Sequence, residues 1–323
     1  MLSRISVRRH LCGVELSVKE IRQAVQAALV EDIGGGDATT LATVPKNLTT
    51  HAVMRAREPL VVAGIEFAEM AFLEVATKYF RREEFHECQI SRIVRSGTRE
   101  TRPSEIRIEH CVPDGRRVKA GEILLEISGP ACAILSAERV ALNFVQRLSG
   151  VATLTSRFVA AVKGTRAQIL DTRKTTPGWR RFEKYAVACG GGKNHRIGLF
   201  DMILIKDNHL AALKNEKPNA IAAAIQRTRK QFPKLKVEVE ADTLEQAAQA
   251  ADAGADIILL DNMNLKQLRA AVKTIAGRAK TEASGGVNLK TVRAIAATGV
   301  DYISVGALTH SARAVDIGLD FEG

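Results

Sequence analysis

The chain has 323 residues, 46% hydrophobic and 26% charged, the values of an ordinary globular protein long enough for a large domain plus a smaller one. Lys and Arg (47) outnumber Asp and Glu (36), giving a formal charge of +11, but aromatics at 4% leave little to stack on nucleic-acid bases. No apolar run is long enough to span a bilayer. Anionic metabolites, with no nucleic acid and no membrane, explain the charge more economically.

Residues 1–16 read as a basic extension (Arg4, Arg8, Arg9) with no acid before Glu15 and no secretory apolar core, a frayed start in a cytoplasmic protein. The five cysteines (Cys12, Cys88, Cys111, Cys132, Cys189) are odd in number and form no C-x-x-C pair, which suits a reducing compartment. Cys189, next to a glycine run, reads as a small buried residue rather than a nucleophile.

Residues 17–135 read as a small α+β domain with an open sheet. Ile21, Val25, Ala28 and Leu29 recur at helical spacing over Val18–Val30, with Ser17 as N-cap, and the helix stops at Gly34-Gly35-Gly36. Strands are expected at His51–Ala56, Glu105–His110 and Glu122–Ser128, with a helix over Phe67–Tyr79. The turns Pro113-Asp114-Gly115 and Lys119-Ala120-Gly121 punctuate them. A linking segment, 136–165, is helical with an interruption expected near Gly150.

From 166 to 323 the rhythm changes. Short apolar runs recur at Ala167–Leu170, Met202–Ile205, Val237–Val239, Ile257–Leu260, Lys280–Ala283 and Tyr302–Val305. Helical segments follow at Leu244–Ala251, Leu265–Ile275 and Leu289–Ala297. The last four runs repeat at about 22 residues, the spacing of βα units with right-handed crossovers. The pattern predicts a (β/α) barrel of fewer than eight strands, its last residues packing back on the N-terminal domain. A doubly wound open sheet is the alternative, and no G-x-G-x-x-G follows the first run to mark a dinucleotide site.

The chemistry lies where the runs end. Between Asp171 and His209 the chain gathers eight Lys or Arg and two His. Barrel strands end on one rim, so Arg173, Lys174, His195, Arg196 and Lys206 should converge as cations, Arg being suited to bidentate carboxylate contacts. Any one of them alone reads as a surface ion pair; five at strand ends read as a ligand site. Glu240 and Asp261 end two other runs and suit ribose hydroxyls or Mg²⁺, whereas Asp242 and Asn264 read as helix N-caps. Ser284-Gly285-Gly286 and Ser304-Val305-Gly306 offer backbone N–H groups before helices, as barrels do for a terminal phosphate.

These motifs resemble the quinolinate phosphoribosyltransferases: Glu31-Asp32, Gly36-Asp37, Arg57-Glu58, Glu138-Arg139, Ala141-Leu142-Asn143, Asp171 to Thr175, Glu183-Lys184-Tyr185, Gly190 to Arg196, Lys206 to His209, Val237 to Glu240, Leu260 to Asn262, Glu282 to Gly286 and Ser304 to Gly306. The resemblance runs from about Val18 to the C-terminus. It implies phosphoribosyl transfer to quinolinate with decarboxylation, and Mg²⁺ as cofactor. It implies substrate contacts from Arg139, Thr172, Arg173, Lys174, His195, Arg196 and Lys206, with Glu240 and Asp261 facing ribose and metal-bound pyrophosphate. Ser284, Gly285, Gly286, Ser304, Val305 and Gly306 would hold the 5-phosphate. Catalytic roles fall to Lys174, Lys206, Glu240 and Asp261, and the metal to Glu240 and Asp261. A homodimer is implied, with Arg139 reaching the partner's pocket. Trp179 and Phe182 stand where smaller aliphatic residues are expected.

Three other readings stay open: a related phosphoribosyltransferase-like enzyme of different substrate, a Schiff-base barrel lyase using Lys174 or Lys206, and a nucleic-acid binder. The paired Thr172-Arg173-Lys174 and His195-Arg196 motifs favour a dicarboxylate.

Overall fold

A computed structural model describes residues 14–78 and 105–322. Arg4, Arg8, Arg9, Cys12, Tyr79 and Cys88 lie outside them. The chain forms two compact units, one of Glu15–Thr153 with Ala312–Gly323, the other built on Leu154–Ser311. No helix among the described residues is long and apolar enough to cross a membrane.

In the first unit, α1 (Val18–Ile33) opens on a capping box in which Ser17 and Glu20 satisfy each other's backbone N–H. It buries the stripe Ile21, Val25, Leu29 and Ile33. The short α2 (Ala38–Thr43) is capped by Asp37. Next come β1 (Thr49–Ala56), β2 (Leu60–Val61), α3 (Ile65–Lys78), β3 (Arg107–Cys111), β4 (Arg117–Val118) and β5 (Ile123–Pro130). With the chain's last strand, β12 (Ile317–Glu322), they form an open antiparallel sheet ordered β12-β1-β5-β3, while β2 pairs with β4. Asp114 accepts from the Gly64 and Ile65 N–H groups at the start of α3, and Phe67 stacks on Phe144 with ring centroids 4.8 Å apart.

α4 (Ala131–Ala161) is continuous for 31 residues and starts before the expected Ser136. The interruption expected near Gly150 is absent. A Cβ at 150 would lie 2.0 Å from the Arg313 carbonyl oxygen, so this glycine admits a passing backbone rather than ending the helix.

The second unit is a parallel six-stranded sheet with helices between strands: β6 (Gln168–Leu170), α5 (Arg180–Cys189), β7 (Ile203–Ile205), α6 (Asp207–Ala211), α7 (Ala220–Gln231), β8 (Val237–Ala241), α8 (Leu244–Asp252), β9 (Ile257–Asp261), α9 (Leu265–Ile275), β10 (Lys280–Ser284), α10 (Val292–Ala296), β11 (Tyr302–Ser304) and α11 (Ala307–His310). The order β6-β11-β10-β9-β8-β7, parallel throughout, gives the barrel-like layout of fewer than eight strands that the spacing predicts. β6 and β7 end the order. Beside β6 the segment before His195 adds a parallel bridge, Lys193 N donating to Ile169 O at 2.8 Å. Because all six strands run the same way, Leu170, Ile205, Ala241, Asp261, Ser284 and Ser304 finish on one side.

Candidate active site

The segment from β6 to β7 is held from beneath by a buried ion pair. Asp171, just past β6, accepts from Lys184 Nζ of α5 at 2.5 Å, from Asn194 Nδ2 at 2.6 Å and from the His195 backbone N–H at 2.8 Å. Lys184 also donates to the His195 carbonyl at 2.9 Å. Burial pushes the Asp171 carboxyl up and the Lys184 ammonium down, while their mutual contact and the added donors oppose both shifts. Glu183, equally buried, takes the Thr176 N–H and hydroxyl, and Arg180 donates to Thr175 Oγ1 and Ile197 O. Trp179 meets Phe182 edge-on, ring centroids 6.0 Å apart, so the two unexpected aromatics pack on each other. Cys189 is buried at the end of α5, as expected for a packing residue.

The backbone of His195, and with it the start of Arg196, is therefore anchored to this scaffold. His195 Nε2 lies 2.8 Å from Glu238 Oε2 and 3.8 Å from Glu282 Oε1. Both carboxylates are fully buried. Burial raises Glu238 to about 7 and Glu282 to about 8, the neighbouring Glu238 charge adding to the second shift. Arg196 is nearly buried and donates to Met202 O; desolvation and then the nearby Arg173 charge lower its affinity for protons. Nε of Arg173 and of Arg196 is buried without a hydrogen-bond partner. Two guanidiniums close enough to feel each other's charge, each with an unused Nε donor, suit an anion.

Across β8 and β9 the charge reverses. Glu240, Asp242 and Asp261 each bring a carboxylate oxygen within 4.8 Å of the others, and Lys206 Nζ pairs with Glu240 Oε2 at 3.0 Å. Three oxygen donors at this spacing suit a hard divalent cation such as Mg²⁺. The expected N-cap role of Asp242 fails: α8 is capped by Thr243, whose hydroxyl takes the Gln246 N–H, so Asp242 is left to join the acidic group. Asn264 does cap α9, accepting from Lys266 and Gln267.

Ser284 stands opposite Asp261 in the β9–β10 register, and Ser304 opposite Leu170 between β11 and β6. Gly285 has φ +95, and a Cβ there would lie 2.1 Å from Asn262 Oδ1. At Gly306 a Cβ would meet Lys174 Cδ at 3.2 Å and His310 Nε2 at 3.1 Å, and Thr309 donates to Lys174 O. The lysine after β6 thus adjoins the glycine after β11. Thr172 accepts from the Lys174 N–H through its hydroxyl. Arg139 is exposed on α4 in the other unit.

Comparison with known proteins decides the family. Two family models match, "Quinolinate phosphoribosyl transferase, N-terminal domain" over residues 37–149 and "Quinolinate phosphoribosyl transferase, C-terminal domain" over residues 151–320. The chain belongs to the quinolinate phosphoribosyltransferase family. A nicotinate-nucleotide pyrophosphorylase [carboxylating] of Mycobacterium leprae is 42% identical over 303 residues, 93% of this chain and 96% of that protein. A mitochondrial quinolinate phosphoribosyltransferase [decarboxylating] of Nicotiana glauca is 40% identical over 94% of this chain and 82% of its own. Among solved structures, the nicotinate-nucleotide pyrophosphorylase from Francisella tularensis superposes with a TM-score of 0.81 at 35% identity, covering 95% of this chain and 98% of that one.

Seen as a quinolinate phosphoribosyltransferase, the chain holds charged groups at its site that sequence reasoning assigned no part: Asp171, Lys184, Glu238, Asp242 and Glu282. One signal was present. In Val237-Glu238-Val239-Glu240 the acids recur at the period of a strand, so Glu238 shares a face with Glu240.

Proposed function

We propose that this protein transfers the phosphoribosyl group of phosphoribosyl pyrophosphate to the ring nitrogen of quinolinate, releasing pyrophosphate and carbon dioxide and forming nicotinate mononucleotide. The family and the names of its relatives support the reaction. The observation that carries the substrate class is the Arg173–Arg196 pair, whose buried Nε atoms lack acceptors beside His195.

In this reading Arg173, Arg196 and His195, with Thr172, Lys174 and Lys206, take the two quinolinate carboxylates and neighbouring phosphate charge. Ser284, Gly285 and Gly286 with Ser304, Val305 and Gly306 take the 5-phosphate on backbone N–H groups. Glu240, Asp261 and Asp242 would hold Mg²⁺, which when bound neutralises pyrophosphate as its negative charge grows. Glu240 lies close enough to Lys206 for the same carboxylate to face both the ribose and the cationic side.

The ring nitrogen attacks the anomeric carbon as the C–O bond to pyrophosphate breaks. Holding two anions side by side against fixed cations supplies the proximity and the charge compensation. The positive charge of the resulting pyridinium nitrogen stabilises the electron pair left on the adjacent ring carbon when its carboxylate departs as carbon dioxide, and a proton then bonds to that pair. No covalent enzyme intermediate is needed. The pairing of Lys206 with Glu240 supports a cationic ligand rather than a Schiff-base nucleophile.

The active form is read as a homodimer, with Arg139 of each protomer serving its partner's pocket, and the setting as cytoplasmic. The test is direct. Purified protein with quinolinate, phosphoribosyl pyrophosphate and Mg²⁺ should yield nicotinate mononucleotide and carbon dioxide in equal amounts. Full replacement of quinolinate by nicotinate would show that the second carboxylate pocket is misassigned.

A further inference from the structure

β8 carries a carboxylate that none of these roles uses. Glu238 is fully buried between Val237 and Val239; Oε2 meets His195 Nε2 at 2.8 Å, while Oε1 has no hydrogen-bond partner. Glu282 on β10 lies 3.8 Å from the same nitrogen, with Glu238 and the Ser304 hydroxyl as its polar neighbours and no well-formed hydrogen bond to either oxygen. Buried carboxylates are costly, and an apolar side chain would fill the barrel interior at less cost. The two carboxyls neighbour each other, and both stand against His195.

The backbone of His195 is fixed by Asp171 and Lys184, yet the segment carrying it is irregular, and backbone anchors leave the ring free to turn about its side-chain bonds. Among the described residues, the ring's polar contacts are Glu238 and Glu282. A histidine held through one nitrogen offers the other to a ligand, and the partner behind it sets the orientation. Glu238 also lies near the Arg196 and Lys206 charges, so it stands behind the cationic wall rather than within it.

We propose that Glu238, backed by Glu282, is a positioning residue of the pocket: by pairing with His195 Nε2 it fixes the imidazole so that Nδ1–H is presented as a donor to a quinolinate carboxylate. The assignment rests on reading the site as a quinolinate pocket. It makes Glu238 act chiefly on one substrate, because its contact is His195, whereas phosphoribosyl pyrophosphate is taken by Glu240 further along the strand and by the loops after β10 and β11.

The experiment compares Glu238→Ala, Glu238→Leu and Glu238→Gln in the full-length protein. In Glu238→Ala the KM for quinolinate should rise about tenfold or more, while the KM for phosphoribosyl pyrophosphate stays within about twofold. Glu238→Gln keeps a polar partner for Nε2 in either tautomer and should restore the quinolinate KM to within about threefold of wild type. Should the alanine variant fail to fold, Glu238→Leu, which fills the volume without a polar atom, is read in the same way. Both KM values unchanged, both raised alike, or glutamine as defective as alanine would each overturn the proposal.

A second readout needs no substrate. With ¹⁵N-labelled histidine, the His195 ring-nitrogen signals, assigned by their loss in His195→Ala, should shift in Glu238→Ala and stay near their wild-type positions in Glu238→Gln. Signals that do not move in Glu238→Ala overturn the positioning role. If the wild type turns over no quinolinate, the functional reading fails while the ring signals still decide this one.

Discussion

Lys184 Nζ lies 2.5 Å from Asp171 Oδ1, and neither side chain reaches solvent. The pair ties the end of β6 to α5 and, through Asn194 and His195, to the segment that presents the cations. Lys184→Met strands a buried carboxylate whose desolvation is no longer offset, and such single removals cost about 3–5 kcal/mol. Urea denaturation followed by circular dichroism should show a loss of this size, and Asp171→Asn combined with Lys184→Met should recover part of it. A loss below about 1 kcal/mol would place the pair among ordinary surface ion pairs.

Glu282 makes stability fall as pH rises. Its carboxyl titrates near 4.5 in an ordinary setting and at about 8 in the fold. Between those values the native state holds a proton that the unfolded chain has lost, so stability is full below about pH 4.5 and decreases up to about pH 8. Glu282→Gln keeps the neutral shape and should flatten this part of the profile. Thermal melts at pH 5.5 and 8.5 compare the two proteins; an unchanged slope in the variant assigns the dependence to other groups.

Much of the barrel was legible because most of its strands are short, largely apolar runs followed by polar residues, a contrast that survives without knowledge of packing. Lys206, Glu240 and Asp261 stand out for the same reason. Glu238 shows only in its period-two spacing from Glu240, and Glu282 not at all: each sits inside its run, and whether a strand residue faces helices or the interior depends on the register of the whole sheet. Lys184 looks like one of several surface cations on a helix rich in charge, since burial is a tertiary property. Asp242 and Thr243 are both good caps, and a choice between adjacent residues turns on backbone angles. Gly150 was misjudged because its reason is a segment more than 160 residues away, the Arg313 carbonyl.

Gly285 should resist any side chain. Its φ of +95 is one that L-residues rarely adopt, and an added methyl would strike Asn262, whose side chain donates to Asp261 Oδ2 at 2.6 Å. Gly285→Ala therefore disturbs the phosphate loop and the acidic group together. We expect the KM for phosphoribosyl pyrophosphate to rise about tenfold with stability reduced by roughly 1–3 kcal/mol. Gly254→Ala, also at positive φ but with open space around it, separates backbone strain from the clash: it should cost stability and leave that KM unchanged.

Arg173 follows β6 and Lys206 follows β7, the two strands that end the strand order. Arg173→Ala removes one of two neighbouring guanidinium charges and should relieve Arg196, so the fold is expected to keep or gain stability while turnover drops by at least about a hundredfold. Lys206→Ala leaves Glu240 without its partner at 3.0 Å, and turnover should fall comparably. A loss of activity accompanied by a lowered melting temperature in Arg173→Ala would mean that the arginine supports the fold. Intact stability with severely reduced turnover assigns its charge to the substrate.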